Sequence, residues 1–131
     1  MRALALGILL SCGGARPRVE RVTAEQGVAI LPVLQIADLH GPAAVKLEGP
    51  DPRLPVWLHA DRRLDWTVVA GRCHGGECEV EYDADDDVFE CECTGDEYRP
   101  DGRPLDGGHP LVTYPVDYRN LTILIELRPA R

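Results

Sequence analysis

The chain has 131 residues, 44% of them hydrophobic, and a formal net charge of −8, which suits one domain with a modest core. Lys46 is the only lysine, and the clustered charges are acidic. That balance argues against nucleic acid and against an electrostatic hold on an anionic membrane surface. Eleven prolines and thirteen glycines spread along the chain favour short strands over long helices.

The first residues, MRALALGILLSC, place Arg2 before an apolar run from Ala3 to Leu10, followed by Ser11 and Cys12. The run is too short to span a bilayer as a helix. It has the order of a secretory leader, and Leu9-Leu10-Ser11-Cys12 resembles a bacterial lipobox, in which the cysteine becomes the lipidated first residue. Residues 1–11 are therefore expected to be a lipoprotein signal peptide. Residues 12–29 are expected to form a flexible tether carrying a lipid on Cys12, and residues 30–128 the folded domain. Lipidation also explains the odd cysteine, because it leaves four of the five for pairing. No aspartate follows Cys12, which favours the outer membrane.

Strands are expected at Ala44 to Glu48, Val56 to Ala60 and Trp66 to Ala70, separated by Gly49-Pro50-Asp51-Pro52 and by a turn at Asp61 to Asp65. Cys78 to Tyr82 and Val88 to Cys91 flank Asp83-Ala84-Asp85-Asp86-Asp87 as a hairpin. The last strand, Leu121 to Leu127, is dominated by Leu and Ile and is expected to be buried on both faces. No window of helical length has a 3.6-residue period, so the fold class is all-β.

Two cysteine clusters organise the middle of the chain: Cys73-His74-Gly75-Gly76-Glu77-Cys78 and Cys91-Glu92-Cys93-Thr94-Gly95-Asp96. Downstream come Tyr98, Asp101-Gly102-Arg103, Gly107-Gly108-His109-Pro110 and Tyr114-Pro115-Val116. From about Leu34 to Leu127 this order resembles the Rieske iron–sulfur domain, with its C-x-H-x-x-C and C-x-C-H-G-S motifs around a hairpin. The resemblance implies a Rieske-like fold of short antiparallel strands with a cysteine-bearing subdomain. It places Cys73 and Cys91 at the cysteine-ligand positions of a 2Fe–2S cluster, and Cys78 and Cys93 at the positions of a flanking disulfide. The two histidine-ligand positions hold Gly75 and Thr94, and Asp96 replaces a serine.

A Rieske centre binds one iron through two thiolates and the other through two imidazoles. Glycine has no donor atom and threonine is a poor ligand, so the expectation is a domain with no cofactor. The neighbouring sulfurs of Cys73 and Cys91 would then form a second disulfide. His74 lies one place off the motif and, in an extended segment, on the opposite face from Cys73. His109 reads as a solvated loop residue. The Asp83 to Asp87 run lacks the glycine and glutamate of a calcium loop and reads as a solvated tip. His40 and His59 have no partners at ligand spacing, and the cysteine spacing is not that of a zinc site.

These readings predict a non-enzymatic binding or assembly component at the cell envelope. It would sit on the periplasmic side of a bacterial membrane, held by its lipid, with an envelope protein as partner. The competing expectation is a 2Fe–2S electron-transfer component of an oxidoreductase system with substitute ligands. Glu77, Glu79, Glu90 and Glu92 surround the cysteines and argue against a reactive thiolate.

Overall fold

In the computed structural model, residues 17–73 and 76–128 are described. The leader, Cys12, His74 and Gly75 lie outside them. The strands are β1 (Val19–Arg21), β2 (Thr23–Glu25), β3 (Val28–Pro32), β4 (Ala43–Glu48), β5 (Val56–Ala60), β6 (Trp66–Ala70), β7 (Val80–Asp83), β8 (Val88–Cys91), β9 (Glu97–Tyr98), β10 (Thr113–Tyr114), β11 (Val116–Arg119) and β12 (Thr122–Glu126). A single 3-10 turn of helix, Val33–Ile36, follows β3. The fold is all-β, as the sequence predicts.

Three sheets form: β1-β4-β5-β6-β10, β11-β12-β3-β2 and the smaller β7-β8-β9. The first two face each other across a core that includes Leu31, Val45, Leu47, Val56, Leu58, Val68, Ile123 and Ile125. The other face of the first sheet carries Ala44, Trp57 and Val69 against Val80, Phe89, Cys91 and Tyr98 of the small sheet. Alternation along β5 explains this layering: Val56 and Leu58 enter one core, while Trp57 and His59 turn to the other face. All five residues of β5 are buried.

Two sequence-based expectations are corrected here. Residues 12–29 are not a tether throughout, because β1, β2 and the start of β3 lie within them. β1 pairs in parallel with β4, with Val19 opposite Lys46, and Val22 is buried. The three-residue strands are too short to show a period, and the partner of β1 is distant in sequence. Burial on both faces belongs to β5 rather than to β12, where Ile123 and Ile125 are buried while Thr122 and Leu124 are half-buried and Glu126 is exposed. No third layer covers the outer face of β12 among the described residues.

Leu121 is not in the strand but in the two-residue turn between β11 and β12, with Asn120 at φ 51° and Leu121 at φ 60°. Both residues are in the left-handed region, where an L side chain crowds the backbone and glycine is favoured. Leu121→Gly should therefore raise stability by about 1 kcal/mol, read as a higher midpoint in urea. An unchanged or lower midpoint would show that the turn carries no such cost.

Candidate functional site

The site is built where β6 and β8 run out into two loops. Gly71 ends β6 against Pro55, whose carbonyl accepts the Gly71 N–H. A Cβ on residue 71 would lie 2.6 Å from that oxygen, so only glycine fits the approach. The chain then closes tightly: Cys73 N–H donates to Cys78 O and Gly76 N–H to Cys73 O, both at 2.8 Å. The second loop has the same economy, with Cys91 N–H donating to Asp96 O and Gly95 N–H to Cys91 O. Gly95 sits at φ 76° to allow that turn. Glu92 N–H, donating to Glu79 O, ties the loops together.

Cys73 is bonded to Cys91, with Cα atoms 5.8 Å apart, and Cys78 to Cys93, with Cα atoms 5.9 Å apart. Both separations lie in the usual range for a cystine. The bridges differ in setting. Cys73 and Cys91 are buried with Phe89 and Val80, while Cys93 is exposed and Cys78 half-buried.

Thr94, at one histidine-ligand position, is exposed, and its hydroxyl oxygen accepts the Asp96 N–H. Gly75, at the other, lies outside the described residues but has no side-chain donor in any conformation. His109 is exposed on the loop that follows β9. Among the described residues, no three His, Cys, Asp or Glu side chains are grouped so as to hold a metal. The donors present do not fit a histidine-ligated 2Fe–2S cluster: both candidate thiolates are engaged in a bond, and neither opposing position offers an imidazole.

A cleft of about 270 Å³ opens beside Cys73, bordered by Arg53, Arg72, Pro110 and Tyr114. Arg53 is bound to Asp51 through two contacts, at 3.0 and 2.8 Å, and holds that carboxyl down at about 2. Burial pushes the Tyr114 phenol up.

The loops are clamped to the first sheet by contacts that the sequence does not reveal. Trp57 Nε1–H donates to Val80 O at 2.9 Å. Lys46, buried on β4, reaches Glu79 at 2.7 Å and lies 6.0 Å from the Trp57 ring. At the far end of the β7–β8 hairpin, His59 Nε2 lies 2.7 Å from Asp87 Oδ1, which also accepts the Tyr82 hydroxyl. In the sequence His59 has no partner at ligand spacing, and Asp87 reads as part of a solvated hairpin tip. The structure brings them together across 28 positions, a separation at which spacing carries no signal. Burial first, and then the Asp87 carboxylate, raise the Tyr82 phenol above its ordinary range.

No family model and no curated protein matches the chain. Solved structures do match it. The plasma membrane Rieske protein PetC3 from the cyanobacterium Synechocystis PCC 6803 is 26% identical with a TM-score of 0.53, covering 61% of this chain and 84% of that one. A chain from the complex of reduced oxygenase and oxidized ferredoxin in carbazole 1,9a-dioxygenase is 14% identical with a TM-score of 0.61, covering 82% of this chain and 99% of that one. The second likeness is one of fold alone.

Two tests follow from the clamps. Replacing Cys78 and Cys93 together by serine removes the constraint on the loop they close and should cost about 3 kcal/mol in chemical denaturation. A cost near zero would mean that the exposed bridge does not hold the domain. The second test concerns acid stability. The hydrogen bond from Lys46 is the largest influence holding the Glu79 carboxyl below its ordinary 4.5. Its contribution is therefore present above that value and fades as pH falls through the lowered one. Lys46→Met should flatten this part of the acid limb and reduce neutral-pH stability by at most about 1 kcal/mol, since Glu79 is half exposed. Superimposable acid limbs would remove the pair from the account.

Proposed function

From the premise that this chain is a Rieske-like domain, we propose that it works without a cluster, as a disulfide-stapled binding or assembly component of the cell envelope, tethered by a lipid on Cys12. The observation that carries this reading is the bond between Cys73 and Cys91 at the two cysteine-ligand positions. Their sulfurs satisfy each other, and the glycine and threonine opposite them supply no nitrogen for a second iron.

The envelope location rests on the lipobox-like Leu9-Leu10-Ser11-Cys12 and on the cystines, which persist in oxidising compartments. No helix among the described residues is long and apolar enough to cross a membrane. The similarity to a plasma membrane Rieske protein is compatible with membrane association. Among the described residues that line the cleft at Cys73 there is no assembled pair of acid–base or nucleophilic side chains, which favours recognition of a protein partner over catalysis. Arg53, Arg72 and Tyr114 offer that partner a cationic and aromatic border.

Iron and thiol content, measured on protein taken from its own envelope fraction without reductant, test the proposal. The expected preparation is colourless, free of iron, and has Cys73, Cys78, Cys91 and Cys93 all oxidised. Two irons per chain, with the absorption and spin signature of a 2Fe–2S centre, would overturn it in favour of electron transfer.

A further inference from the structure

The three most exposed large apolar side chains among the described residues are Leu34 at 80%, Leu121 at 63% and Leu64 at 51%. The topology collects them at one end of the two larger sheets. Leu34 lies in the 3-10 turn after β3, and Val33 N–H donates to Leu121 O at 2.9 Å, seating the β11–β12 turn beside it. From there the chain passes Gly41, packed on the Asp61 backbone, into β4, whose first residue Ala43 pairs with Ala60, the last of β5. Leu64 is in the turn that follows.

Two of the three cost the fold something. Leu121 is at φ 60° and Leu64 at φ 62°, a backbone region that a branched side chain rarely enters. Neither leucine is buried in return. Strained backbone that presents apolar groups to solvent points to something outside the fold that receives them.

The chain also enters the fold at this end. Arg18 O accepts the Lys46 N–H, and the Arg18 guanidinium reaches Gln35 O at 2.7 Å and Asp38 at 2.9 Å, so Pro17 and Arg18 lie against the 3-10 turn. Cys12 precedes Pro17 by five residues, a span of at most about 18 Å. Arg62, Arg63 and Arg119 lie here among Asp61, Asp65 and Asp117, and the acidic Asp83 to Asp87 hairpin tip adjoins them, with Asp87 on His59 and Ala84 near Pro17. The rim is therefore acidic on balance, and apolar contact rather than charge must hold it to a partner.

We infer that the end bearing Leu34, Leu64 and Leu121 is the face that rests on a phospholipid bilayer, its leucines entering the interfacial zone. The inference deepens the envelope reading above and rests on its lipid at Cys12. It also fixes an orientation. β6 leads away from the Leu64 turn towards Cys73, so the cysteine loops and the cleft beside them are held at the opposite end, facing away from the membrane and open to a partner.

The test uses the full chain, processed by a bacterial host and reconstituted into phosphatidylcholine vesicles with brominated acyl chains. Leu34→Trp is compared with Leu105→Trp, an exposed position beside Glu97 at the cysteine end, after subtraction of the signal from Trp57 and Trp66. Emission from L34W is expected to shift to the blue and to be lost to bromine quenching, with L105W unaffected. Equal quenching of the two overturns the proposal. So does a blue shift of L34W without bromine quenching in a chain that sediments as a dimer, which would assign the leucines to a second copy. The mass of the N-terminal peptide separates the layers: an unlipidated Cys12 removes the anchor itself, whereas a lipidated chain with equal quenching removes only the orientation.

Discussion

The bond between Cys73 and Cys91 joins the loop that leaves β6 to the end of β8, and so fixes the small sheet at the point where it meets the first sheet. Its sulfurs are part of the second core, packed with Trp57, Val80, Phe89 and Tyr98, so the cross-link and the apolar contacts hold the same surfaces together. A three-stranded sheet with strands of four, four and two residues buries little by itself. Three strands this short need a covering partner and covalent constraint to persist in water. With the bond in place, the second disulfide closes the loops over the outer side, where it is exposed and has less packing to protect.

Polar contacts then set the register of the small sheet on the first. Lys46, Glu79 and the Trp57 indole act near the cysteine loops, while His59, Asp87 and Tyr82 act at the hairpin tip. Each pins a different end of the β7–β8 hairpin, and together they resist rotation, which apolar packing alone resists weakly. The price is crowding of carboxyls on one side. Burial first, and then the adjacent Glu92, raise the Glu81 carboxyl, while Glu79 beside Lys46 is lowered. Lys46 favours the charged form of both glutamates, but at Glu81 burial and Glu92 outweigh it.

Much of this was legible in the sequence where the signal is local. β5, β6 and β8 fall where alternation and turn residues put them, and the two cysteine clusters announce the subdomain through their family resemblance. The rest depends on pairings that have no local trace. β1 earns its place only by lying parallel to β4, and three residues cannot display a period. Asp87 resembles its neighbours in an acidic tip, yet it alone reaches His59 and Tyr82. The predominantly apolar run from Leu121 to Leu127 reads as one strand, because composition cannot distinguish a turn leucine from a core one. The φ of 60° at that residue is information that only the backbone holds.

That same backbone detail connects the two ends of the molecule. A left-handed leucine in a tight turn is kept against its local preference only if the surrounding strands determine the turn and the side chain is useful where it is. In β11–β12 the four paired positions from Val116 to Arg119 determine the turn, and its side chain is directed outward beside Leu34. At the cysteine end the Cys73 and Cys91 sulfurs and the aromatic rings are turned inward, while Val112 is exposed in the cleft beside Arg53 and Arg72. The two ends therefore hold their shape by different means: strand pairing fixes the leucine turn, and disulfides fix the cysteine loops. That difference is what the proposed resting face asks of the fold: leucines presented on strained turns at one end and cross-linked loops at the other.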